Sequence, residues 1–256
     1  VTERHAGWLR RGPRDDDRHY VPQLGVLGTT DSGFGRDLAP LIPWKLEQSY
    51  NDCVPNAVCH ALGIAQRAQG VANPDIPARM VIYREARAID GQEADDGGTY
   101  IHNAFSAAAK LGLAPDSAFP YARHTPYDPI PIEVFREAAD QRWVSGYLRI
   151  PTFGESRALY IDAALDEGHA VVVGTMLGHA FKDLQPGVMY TRAPDDLWGG
   201  HAFVIVRRVP GGYRCLNSWG DGWCDGGFFL ISREQIVSDD TDDATIVKLA
   251  PVLEAA

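Results

Sequence analysis

Residues 199–229 read GGHAFVIVRRVPGGYRCLNSWGDGWCDGGFF. A His after two glycines opens an apolar run, Pro210-Gly211-Gly212 makes a turn, and a second run ends in Asn217-Ser218-Trp219-Gly220. Two β-type runs around a Pro-Gly turn predict an antiparallel hairpin. His201 and Asn217 stand sixteen positions apart, the separation at which such a ladder returns both side chains to one end. An Asn oxygen can hold a neutral imidazole there in one tautomer. That matters chemically only where a neighbouring group has a proton to give, and Cys53, far upstream, is the candidate.

Around this hairpin lie further short β-type runs bounded by Gly, Pro and Asp: AVVVGTM, GVMYT, FFLIS and ATIVKLA. Upstream the pattern is helical. Val54, Ala57, Val58, Ala61, Leu62 and Ala65 recur at helical spacing after Cys53. Pro55 is tolerated only in a first turn, so this helix begins at or just before Cys53, with Asp52 as its expected cap. Further helices are predicted at 77–88, 100–111 (stopped by Gly112), 132–143 and 157–167, with Asp95–Gly98 as a flexible turn. A mostly helical first half and a mostly antiparallel second half make an α+β protein of two lobes. Residues 1–36, rich in Gly, Arg and Asp, read as an N-terminal arm or irregular wrap, and the Pro-punctuated segment DLAPLIPWKLEQ leads from there to Cys53.

The chain has 256 residues, ample for a large core, and a formal charge of -10. That acidic balance argues against nucleic acid or an anionic membrane as the partner. No apolar run reaches membrane-spanning length, and the first residues lack the apolar centre of a signal peptide, so a soluble cytoplasmic protein is expected. Four cysteines without a CxxC argue against a zinc site and a disulfide scaffold, and Cys215 and Cys224 read as free thiols rather than a pair across a turn. No HExxH or GxSxG occurs, which removes the usual anchors of metal and serine hydrolases.

A thiol at a helix start feels the positive end of the helix dipole, and a cationic His beside it stabilises the thiolate further. Such a pair can attack a carbonyl carbon and then protonate the leaving group. The Cys53 backbone N–H is one donor for the resulting oxyanion, and Gln48, five residues earlier, is a second.

With Cys, His and Asn in this order, NSWGDGWCDGGFF, GGHAFVIV, GTYIHNAFSAAAKLGLAPDSAFPY and RDLAPLIPWKLEQ resemble the papain-like cysteine peptidases, over most of residues 36–232. The resemblance is to the compact bacterial and phage branch without a long inhibitory propeptide. It implies a papain-like two-lobed α+β fold. A helical lobe (about 50–145) would carry the nucleophile helix, and an antiparallel β-barrel-like lobe (about 146–250) the His and Asn, both within a catalytic domain at 37–256. It implies Gln48 as oxyanion donor, Cys53 as nucleophile, His201 as acid/base and Asn217 as its orienting group. Trp219 would shield the Asn–His bond, and Gly97 and Gly98 would pair with a substrate backbone.

This sequence departs from the family in four places. The Gln-to-Cys separation is five rather than six, and Asn51-Asp52 precede the thiol. Val54 replaces an aromatic, and Cys224 stands where glycine is usual. The implied function is hydrolysis of peptide bonds in a polypeptide through an acyl-enzyme, without cofactor or metal. Acyl transfer to an amine, and a catalytically weak scaffold used for binding, are the alternatives, and oligomeric state is left open.

Overall fold

In a computed structural model, residues 4–12, 14–23, 35–150 and 154–250 are described. The organising element is α1 (Cys53–Ala68), buried on nearly every side. Its first turn accommodates Pro55, whose missing N–H has no intrahelical acceptor at that position. The expected cap is corrected: Asp52 occupies the N-cap position, but its side chain accepts no capping bond. The Asp52 backbone carbonyl instead takes the Asn56 N–H, while the carboxyl is turned into the interior.

Against α1 pack α2 (Arg79–Ala88) and α3 (Ile101–Leu111), followed by α4 (Ile132–Ala139). The last is shorter than its apolar pattern predicts, because the chain must leave helical geometry to enter a strand the sequence did not announce, β1 (Val144–Arg149). Gln141 marks the exit, its carbonyl taken by the Leu113 N–H. After α5 (Gly154–Asp166) the chain is mainly strand: β2 (Val171–Leu177), β3 (Met189–Tyr190), β4 (Gly199–Val209), β5 (Gly212–Leu216), β6 (Phe228–Ser232) and β7 (Thr241–Leu249). A five-residue helix, α6 (Arg233–Val237), also unannounced, lies before β7.

The strands form one sheet in the order β1-β7-β2-β4-β5-β6-β3. All pairings are antiparallel except β3 with β6, and no pairing closes the ladder into a ring among the described residues. β4, β2 and β7 contribute Val204, Val206, Val172 and Ile246 to the same core as Val54, Val58 and Leu62 of α1. The nucleophile helix and the sheet therefore share one apolar interior, which fixes the start of α1 against the start of β4.

The N-terminal arm is anchored to this sheet by buried charge. Asp17 pairs with Arg11 at 2.6 Å and with Arg149 of β1 at 2.9 Å, and all three side chains are almost fully buried. Burial alone would raise the Asp17 pKa, but the Arg14 backbone N–H and the two guanidinium groups outweigh it and hold the carboxyl below its ordinary value. Arg149 also donates to the carbonyls of Arg11, Gly12 and Asp242. Removing it leaves a buried carboxylate half-paired, so Arg149→Leu is expected to cost about 3 kcal/mol in urea unfolding. A loss under about 1 kcal/mol would mean that the network adds nothing to the anchor.

Candidate active site

Three elements converge at the opening between helices and sheet. β4 carries His201 opposite Thr175 of β2. β5 ends at Leu216, paired with Val204, and delivers Asn217 beside His201. His201 Nε2 donates to Asn217 Oδ1 at 2.8 Å, and that oxygen also accepts the Ser218 N–H at 2.8 Å. An acceptor on Nε2 leaves the lone pair of the neutral ring on Nδ1, which is buried and has no partner. The third element is the start of α1: the Cys53 thiol lies against the backbone N–H of Ala202, the residue after His201, and the amide of Val54 in its own first turn.

An aromatic cage encloses the pair. The Trp219 ring lies 5.0 Å from His201 and 4.9 Å from Trp223, and Phe181 touches Trp219, Trp223 and Phe229 at 5.0–5.3 Å. Trp198 closes the side toward Trp219 at 5.8 Å. Phe181 and Trp198 escaped the sequence reading because neither sits in a motif; only the fold brings them to the Asn-Ser-Trp segment. Cys224, in the position where glycine is usual, has φ 47°. The left-handed backbone accounts for that usual glycine, and a cysteine there costs roughly 1 kcal/mol.

Gln48 is buried whereas Glu47 is exposed, so the amide and not the carboxylate faces the site. Its Oε1 accepts the Ser218 hydroxyl at 2.7 Å, and its Nε2 donates to the carbonyl of Tyr50 at 2.9 Å and to that of His5 at 3.3 Å. Gly98 is buried, and its N–H donates to the Tyr83 hydroxyl. Gly97 is exposed, and its N–H donates locally to the Asp95 carboxylate. Asp96 is no loose turn: its carboxylate accepts from Tyr83 at 2.6 Å and from the Asn51 N–H, tying this segment to the loop before Cys53.

The N-terminal arm fills the opening. Gly7 and Trp8 both donate to the Gly200 carbonyl at 3.0 Å, the Thr99 N–H donates to Gly7 at 2.8 Å, and the Leu9 N–H donates to Thr99 at 3.0 Å. The arm itself pairs with Thr99, in parallel, next to Gly97 and Gly98. Arg4 reaches across Trp219 with its guanidinium 5.4 Å from the ring. The Trp8 indole, 3% exposed, lies over Gly174 and Gly200, where any Cβ would come within 3 Å of it.

Burial acts on the charge of both reactive groups. Cys53 and His201 are both 0% exposed. Burial pushes the Cys53 thiol up to about 12, with neighbouring Asp52 adding to it and the backbone amides opposing. Burial lowers His201 to about 4, against the Asn217 hydrogen bond, which raises it. In this covered arrangement burial thus works against both the thiolate and the imidazolium of the expected pair.

No family model matches this chain. It is 26% identical over 208 residues to an uncharacterized peptidase C1-like protein of Acanthamoeba polyphaga mimivirus, a match covering 73% of this chain and 65% of that relative's length. Among solved structures it superposes on xylellain, a cysteine protease from Xylella fastidiosa, with TM-score 0.86 at 22% identity, covering 98% of this chain and 99% of that one. Procathepsin B S9 of Trypanosoma congolense follows at TM-score 0.71 and 14% identity over 96% of this chain and 86% of that one. Bromelain of Ananas comosus gives 0.62 and 17% over 84% and 98%. The fold is that of the papain-like cysteine proteases.

Proposed function

We propose that this chain, built on the papain-like fold, is a cysteine peptidase in a covered, latent arrangement. The observation that carries the reading is His201, oriented by Asn217 with Nδ1 bare, in the strand against which the Cys53 thiol rests. Once the arm withdraws, Cys53 Sγ passes its proton to His201 Nδ1 and attacks the carbonyl carbon of a peptide bond. The oxyanion accepts from the Cys53 N–H and from Gln48 Nε2, which in the covered state holds the His5 carbonyl of the arm. As the C–N bond breaks, His201 returns its proton to the leaving amine; water then cleaves the thioester and restores the thiol. Trp219 keeps the His201–Asn217 bond dry. Four unpaired cysteines fit a reducing, cytoplasmic setting.

The test is the rate of Cys53 alkylation by iodoacetamide against pH. Labelling that persists to about pH 5 and disappears in His201→Ala supports an ion pair, whereas labelling that rises only near pH 8.5 in an uncovered variant is that of an ordinary thiol and ends the reading. Gln48→Ala is expected to lower kcat by about 10²-fold with a smaller change in KM, since an oxyanion donor acts mainly in the transition state. A change in KM alone would assign Gln48 to holding the arm or the substrate.

A further inference from the structure

The residue before the nucleophile is a fully buried acid. Asp52 is 0% exposed, and neither carboxyl oxygen meets hydrogen-bond geometry with any donor. The groups that face it come from several elements: the backbone of Tyr50 in the preceding loop, Cys53 and Cys59 on α1, Arg79 on α2, and Asp96 and Tyr121 beyond. The Tyr121 hydroxyl accepts the Ser49 N–H at 2.7 Å and faces the carboxyl without meeting hydrogen-bond geometry. Arg79 is the one cation among these groups, and its Nη1 is committed to Asn56 Oδ1 at 2.5 Å and the Glu47 carbonyl at 3.2 Å, with its guanidinium stacked 3.7 Å over the Tyr121 ring. Asp52 therefore has no ion pair among the described residues.

We propose that Asp52 is a positioning residue for the nucleophile, its carboxyl acting as an electrostatic gate that permits the Cys53 thiolate only while the carboxyl is neutral. The inference rests on the thiol reading above. Its physical basis is a comparison at constant proton number. Thiolate with imidazolium and thiol with imidazole hold the same protons, so the charges around them decide which is populated. An Asp52 carboxylate opposes the Cys53 thiolate, whereas the charges acting on His201 do not include it, so the imidazolium does not recover that penalty. Burial raises the Asp52 carboxyl to about 7, against Tyr121 and Arg79, which lower it. Its ionisation as pH rises weakens the ion pair.

The experiment uses the full chain with Trp8→Ala, so that reagent reaches the thiol, with and without Asp52→Asn. Cys53 alkylation and peptide hydrolysis are followed from pH 4.5 to 9. The parent profile is expected to fall as pH passes through about 7; Asp52→Asn moves that descending limb upward by at least one pH unit, giving about a tenfold faster reaction at pH 8. Asp52→Ser carries the same expectation if the amide variant does not fold, and near-UV circular dichroism reports on that. Superimposable profiles in a hydrolysing enzyme overturn the gate and leave the peptidase reading standing. Absence of low-pH labelling and of hydrolysis in every variant overturns both.

Discussion

Cys53→Ala is expected to lower peptide hydrolysis by at least about 10⁴-fold, with His201→Ala close behind and the double variant no worse than either. The three values are tied by the geometry. Without the sulfur there is no covalent step, and without His201 Nδ1 the thiol has no acceptor for its proton in a site where burial already opposes its ionisation. Two residues that act in one step lose their joint effect when either is removed. The measurement is steady-state hydrolysis of a fluorogenic peptide in the Trp8→Ala background, with near-UV circular dichroism to confirm folding. Additive losses, or more than a few per cent of activity left in Cys53→Ala, would falsify the assignment of the pair. Residual hydrolysis at the level of the oxyanion donors alone is compatible with it.

Trp8→Ala by itself is expected to raise the rate of Cys53 labelling by about 10²-fold at fixed pH. Labelling requires the arm to lift, so the observed rate is the reactivity of the open site scaled by the population of open chains. The indole is the largest apolar group holding residues 4–9 in place, buried over Gly174 and Gly200. A buried Trp→Ala substitution costs about 3 kcal/mol, and if most of this falls on the closed state the open population rises in that proportion. Gly7→Val tests the same contact without leaving a cavity, because a Cβ on Gly7 would lie 1.9 Å from the Asn51 carbonyl and would push the arm out. If both variants label at the parent rate, the arm is not the barrier. The Arg11–Asp17–Arg149 network stays intact in both, so the arm remains attached beyond residue 10 and the comparison concerns the cover alone.

Charge follows the same logic. On the proposed reading, lifting the arm would admit water to Cys53 and His201 and relieve the burial that raises one and lowers the other. The proposal thus makes the covered site doubly silent, closed to substrate and disfavoured for its ion pair, with a single movement relieving both.

Local order was legible in the sequence. The hairpin from Gly199 to Leu216 rests on two β-type runs and a Pro-Gly turn. The start of α1 at Cys53 rests on apolar spacing and on the one place where Pro55 fits. The contact of His201 with Asn217 followed from register, which sixteen residues of chain determine by themselves. The choice of Gln48 over Glu47 rests on charge rather than register, since a carboxylate suits no oxyanion hole, and its bond with Ser218 is what the tertiary structure adds. The same is true of Asp52: its sequence position is that of a helix cap, but Tyr121 and Arg79 are brought to its inner side from distant elements.

The course of residues 4–12 was the least legible, since they have no periodicity and their partners, Thr99, Gly200 and Arg149, lie far along the chain. Periodicity and short-range turns encode the elements and the pairs within them. Burial and the charge state of a thiol depend on everything within several ångströms in space, and that neighbourhood exists only once the chain has folded.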